Sequence, residues 1–180
     1  LMASKEVASL FLVIFSIGVA IGSMSVNALL KGTVSARYSP VSVVVMALFV
    51  VGFYAVCHAW PEPDARGLLN VSSFVAEPLA VPLLLSLLGI ATAGGMFVVP
   101  LYAFLTTFVD KTQTARTIAA NNIVNSGAMV IGSVIAVVLS AVGVPVVEQL
   151  LLGAAMCLVS AWLGHLLVKA ERAADCPPQA

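Results

Sequence analysis

The stretch TIAANNIVNSGAMVIGSVIAVVLSAVGVPVV, residues 117–147, contains no charged side chain, and its reading decides the fold. A helix needs about 20 apolar residues to cross a hydrocarbon core, and this stretch exceeds that. Its polar residues recur with a helical period. At 100° per residue, Asn122, Asn125, Ser126, Met129, Gly132, Ser133, Ala136 and Ser140 fall within an arc of about 120°. Ile123, Val124, Val130, Ile131, Val134, Ile135 and Val138 take the opposite side, and Asn121 lies at the edge of the polar arc. One side suits lipid. The other must face protein or a wet cavity, because an amide without a partner in hydrocarbon costs several kcal/mol.

Outward from this segment the pattern repeats. Val7–Leu30, Tyr38–Pro61, Pro78–Val109 and Gln149–Val168 are also free of charge. Each is long enough for one crossing and too short for two. The expected architecture is therefore all-α and polytopic, with five transmembrane helices at about 7–30, 40–60, 80–108, 117–141 and 145–168. An external loop covers 61–79 and a polar tail 169–180. Barrel strands would alternate over segments of about ten residues, which these continuous runs do not do. Ser39-Pro40 is expected to cap and open the second helix, and Pro145 with Glu148 to open the last one. Val142-Gly143 breaks the chain between the final pair.

Composition agrees. Charged residues make up 9% of the chain, against about 25% in a soluble domain. That is too little to coat a water-soluble globule. The net charge of zero, with no basic cluster, excludes a nucleic-acid partner. The scattered cysteines, Cys57, Cys157 and Cys176, do not form a disulfide framework. Lys31, Arg37, Lys111, Arg116, Lys169 and Arg172 fall on one side of the predicted membrane, whereas Lys5 and Arg66 fall on the other. By the positive-inside rule the C-terminus is expected in the cytoplasm and the N-terminus outside. An odd number of spans in this orientation, beginning Leu-Met, is expected of a fragment of a longer protein.

Small residues four apart mark helix-packing faces: Gly18 and Gly22, Ala91 and Gly95, Ser160 and Gly164. The third span carries Gly94-Gly95 and Pro100 near its middle, which makes these the candidate flexible or gating residues. No Asp, Glu, Lys or Arg lies deep in any span, so no intramembrane charge relay is indicated. His58 and His165 sit near span ends and read as interfacial side chains. No metal-ligand spacing, nucleophile–base set or phosphate loop is present, so no metal, cofactor or enzymatic activity is expected. Asn70-Val71-Ser72 fits a glycosylation acceptor only as a short pattern. The substrate-cavity candidates are Asn121, Asn122, Asn125, Ser126 and Ser133.

The run from Gly94 to Leu105, GGMFVVPLYAFL, and the run from Ala115 to Ser126, ARTIAANNIVNS, resemble the bacterial lysophospholipid transporters of the major facilitator superfamily. The likeness covers nearly the whole chain and is most specific over 94–126. It implies helices eight to twelve of a twelve-helix transporter in the bacterial inner membrane, that is, part of the C-terminal half of a major facilitator fold. It also implies flipping of lysophosphatidylethanolamine or lysophosphatidylglycerol toward the inner leaflet. The implied partners are membrane lipids, the amphipathic substrate, the remaining N-terminal helices and, because some relatives are fused to one, an acyltransferase. The loop from Asn27 to Tyr38 falls where the superfamily repeats a basic loop motif. Lys31 and Arg37 keep its basic character, but its acidic residue is missing. A drug or metabolite exporter of the same superfamily is the alternative, as is the membrane domain of a transporter–acyltransferase fusion.

Overall fold

The computed structural model describes residues 5–30, 38–60, 70–107 and 109–175. Lys31 and Arg37, and with them the loop-motif expectation, lie outside the described residues. The described chain is all-α: α1 (Lys5–Leu30), α2 (Ser39–His58), α3 (Val71–Ala76), α4 (Ala80–Thr107), α5 (Thr114–Ala141) and α6 (Val146–Asp175). Five of these, all but α3, are long and apolar enough to cross a membrane, which makes this a polytopic membrane-type fold. Inside a bilayer a helix satisfies its own backbone, so uninterrupted apolar runs of this length have no other stable form. The serine hydroxyls follow the same rule. Ser16, Ser23, Ser42, Ser86 and Ser133 each donate to the carbonyl four residues back, at 2.8–2.9 Å.

α4 is the hub, with α1 against one side and α2 against another. The α1–α4 seam is built from glycine. A Cβ at Gly18 would stand 2.6 Å from the Ala91 Cβ and 2.9 Å from the Leu88 carbonyl oxygen. A Cβ at Gly95 would stand 2.7 Å from the Val19 carbonyl oxygen, and one at Gly22 would collide with the Thr92 carbonyl. Neither helix tolerates side chains here because the backbones themselves touch, the close approach that small residues permit between membrane helices. The contacts advance together along both chains, Gly18 with Leu88 and Ala91, then Gly22 with Thr92 and Met96. The two helices are therefore parallel. α2 runs antiparallel to α4: Gly89 meets the ring of Phe49, while Gly94 faces the Met46 sulfur at 3.7 Å. α6 packs on the far side of α2, with Gly164 3.7 Å from the Pro40 backbone and Ala154, Ala161 and Val168 buried.

Helix termini depart from the sequence reading in several places. Tyr38, not Ser39, holds the cap position of α2; Ser39 is the first helical residue, and its buried hydroxyl has no partner. Pro40 sits in the first turn as expected, where its missing N–H costs nothing. The segment expected to be an external loop contains α3, whose Phe74 is fully buried with Val7, Ala80 and Leu83. Phe74 also meets Phe11 edge-on at 5.6 Å between ring centroids and stacks on Trp60 at 5.5 Å. Charge and turn residues in 61–79 carry no helical period, yet Phe74 and Val71 pack the 71–76 turn onto the bundle. α6 continues to Asp175, beyond the expected start of the tail.

Candidate functional site

The residues selected for a substrate cavity all lie on α5, and α5 differs from every other span. None of its residues is buried. Asn122, Asn125, Ser126 and Ser133 are exposed and Asn121 is half-buried. The Ser133 hydroxyl donates to the Met129 carbonyl at 2.9 Å, so it is satisfied within its own helix. Among the described residues, no hydrogen bond reaches the amides of Asn121, Asn122 or Asn125. The opposite side is equally open: Ile123, Val124, Val130, Ile131 and Val138 are each more than half exposed, at 53–73%. A Cβ added at Gly127 or Gly132 would meet nothing. The predicted polar arc thus exists as a face that none of the described helices covers.

The ends of α5 are well specified. At its start Gln113 and Thr117 join through backbone and side chain, the Thr117 hydroxyl donating to the Gln113 carbonyl at 3.1 Å. At its end Gly143 adopts φ of +93°, a conformation only glycine takes without strain. Val144 N–H donates to the Leu139 carbonyl and Gly143 N–H to the Ser140 carbonyl, a Schellman closure. The Gln149 amide then reaches across the turn, with Nε2 donating to Ser140 Oγ at 2.9 Å and to the Val144 carbonyl at 3.3 Å. Pro145 accepts from Glu148 N–H at 2.9 Å, and Glu148 sits in the first turn of α6, where its charge complements the helix dipole. α5 is therefore fixed at both ends and free along its length.

The second group of candidates, on α4, is placed differently. Gly95 is buried in the α1 seam, Gly94 turns toward Met46 of α2, and Pro100 is fully buried inside the helix. Pro100 lacks the N–H that would bond to the carbonyl of Met96 one turn back, a local weakness in an otherwise packed helix. The structure does not bring the α4 group and the α5 amides into one site. His58 lies beside Tyr54, with ring centroids 5.9 Å apart, and His165 is exposed on α6. Cys57 and Cys157 are free, half-buried thiols. No group of three or more potential metal ligands occurs among the described residues.

Two features escaped sequence reasoning. One is the Gln149–Ser140 clasp, which needs a turn geometry that only the fold supplies. The other is an apolar groove between α1 and α4, formed by residues indistinguishable in sequence from any other lipid-facing leucine or isoleucine. No protein-family model, curated protein or solved structure matches this chain.

Proposed function

We propose that this protein works in membrane transport of an amphipathic substrate, as part of a larger cavity to which α5 contributes one wall. The observation that carries this reading is the α5 face of Asn122, Asn125, Ser126 and Ser133. It lies within an apolar 28-residue helix and is covered by none of the described residues. Amides do not face hydrocarbon, so such a face is completed by further helices, by water or by a polar ligand. The back of the same helix is uniformly aliphatic. A lysophospholipid, with a polar headgroup and one acyl chain, fits a wall that offers both surfaces. The resemblance of residues 94–126 to lysophospholipid transporters supports the same substrate class, with lysophosphatidylethanolamine or lysophosphatidylglycerol moved toward the cytoplasmic leaflet of a bacterial inner membrane. The excess of Lys and Arg on the side of the C-terminus supports a cytoplasmic tail. In this reading Pro100, with Gly94 beside it, is where α4 bends during the cycle.

The test is uptake of labelled lysophosphatidylethanolamine by cells or vesicles carrying the protein. Asn125→Leu lowers uptake about tenfold, as expected for the loss of one well-placed polar contact. Ile131→Leu, on the lipid side, leaves uptake unchanged. Equal effects of the two substitutions, or uptake that persists after deletion of the gene, would remove the proposal.

A further inference from the structure

Ser39 departs from the pattern that other span serines follow. Ser16, Ser23, Ser42, Ser86 and Ser133 each donate to the carbonyl four residues back. Ser39 is the first residue of α2, so no turn of that helix precedes it and offers such a carbonyl. The residue is fully buried, and its Oγ has no hydrogen-bond partner among the described residues. A buried hydroxyl left unpaired loses its hydration for nothing, which disfavours that arrangement about tenfold or more.

Two local preferences favour another arrangement of the same residue. Serine is among the strongest N-caps, where its oxygen accepts the N–H two or three residues on. An N-cap has extended backbone, and the residue before a proline prefers that region. Ser39 precedes Pro40. With Ser39 as the cap, Pro40 would take the first helical position, which it favours. The Ser42 N–H, which donates to the Tyr38 carbonyl at 3.0 Å, would turn to Ser39 Oγ. The structure starts α2 one residue earlier, from a Tyr38 cap that supplies no side-chain bond.

The neighbour packed on this turn is α6. A Cβ at Gly164 would stand 3.7 Å from the Pro40 nitrogen and Cα and 3.8 Å from its Cβ. Val168, one turn further along α6, is buried as well. Ser39 is 0% exposed, so its side chain cannot swing over the helix end while its surroundings stay in place. A change of cap and a parting of α2 from α6 at this end are therefore one event.

We propose that the first turn of α2 is a two-position cap coupled to the α2–α6 contact. With Gly164 seated on Pro40, α2 starts at Ser39 behind a Tyr38 cap, and the Ser39 hydroxyl is unpaired. When this end of α6 lifts, Ser39 turns extended, its Oγ accepts the Ser42 N–H, and α2 starts one residue later. The unpaired hydroxyl opposes the closed contact and the cap stabilises the open one. This end of the α2–α6 seam therefore opens more readily than the rest. The device needs no substrate, so it goes beyond the transport reading and stands or falls apart from it.

The experiment is a thermal-unfolding cycle on the full chain in detergent. Ser39→Ala raises the midpoint of the otherwise wild-type protein by about 2–4 °C, because it removes an unpaired polar group from the closed state. Gly164→Leu extends a branched side chain past a Cβ position already in contact with Pro40, and holds the seam open. In that background Ser39→Ala lowers the midpoint by a similar amount, because it removes a cap. The same sign in both backgrounds would overturn the proposal. A second measurement decides the matter if Gly164→Leu does not fold. Spin labels are placed at Val41→Cys and Leu166→Cys, both exposed, in a chain whose Cys57, Cys157 and Cys176 are replaced by Ala. The expected distances are a main short one and a minor longer one. Ser39→Ala lowers the ratio of longer to shorter about 30-fold, the product of the hydroxyl and cap effects. Ser39→Thr keeps a hydroxyl and retains the longer distance. A single distance in the wild type, or a ratio that Ser39→Ala leaves unchanged, would overturn the two-position cap.

Discussion

α1 and α5 carry the same kind of signal and meet opposite fates. Each is a long apolar helix with small residues at four-residue spacing, Gly18 and Gly22 on α1, Gly132 and Ala136 on α5. On α1 the glycines lie against the backbone of α4, and an added methyl group has nowhere to go. On α5 the corresponding position opens onto empty space. The difference lies in the neighbours of those small residues. Around Gly18 and Gly22 the stripe is apolar or hydroxyl-bearing, with Ser25 one turn on, and Ser23 beside it donates to the Val19 carbonyl of its own helix. Around Gly132 the stripe continues into Asn125 and Asn122, whose amides make no hydrogen bond within the helix. A purely small face finds a partner among the helices of this chain. A face that is small and amide-bearing needs a partner with hydrogen bonds to offer, and among the described residues no group bonds to these amides.

Substitutions break or sharpen this contrast. The largest effect is expected at the head of the packed seam. Phe74→Ala empties a fully buried ring site touched by Phe11 and Trp60 and costs ~3–5 kcal/mol, read as a lowered midpoint of unfolding in detergent. Next comes the paired glycine experiment. Gly22→Ala forces a methyl group onto the Thr92 carbonyl and destabilises by ~1–3 kcal/mol, whereas Gly132→Ala changes stability by less than ~0.5 kcal/mol. A similar loss at both positions would mean that α5 is packed in the folded protein and would end the comparison. The smallest effect concerns the end of α5. Gln149→Ala removes the clasp to Ser140 and the Val144 carbonyl and costs ~0.5–1.5 kcal/mol, with faster amide exchange confined to the 140–149 turn.

Much of this was legible in the sequence, for identifiable reasons. The placement of Glu and Asp residues at 77, 110 and 148 outlines the spans, because a charge is expelled from hydrocarbon wherever it falls. The glycine stripes of α1 and α4 announced that those helices pack closely, though only the fold shows that Gly18 meets Ala91 and not a stripe elsewhere. The α5 arc was legible as a two-faced helix, but its bareness was not, since periodicity states what a face is made of and not what covers it. Phe74 was hidden because an isolated aromatic in a polar segment carries no period. The Ser39 cap failed for a local reason: Tyr38 is already helical, at φ −89° and ψ −10°, so the helix begins one residue early and the hydroxyl loses the geometry of a cap.

The parallel pairing of α1 with α4 also sets a timetable. Parallel neighbours cannot be joined by a short turn, so α2 and α3 must be made between them. The residues that meet at the seam are separated by about seventy positions, and at ~5–20 residues per second the ribosome reaches Ala91 roughly 4–14 s after Gly18. For that interval α1 has no α4 to pack on. The seam can close only after α4 has been made, so α2 and α3 are in place before the two helices that flank them in sequence come together.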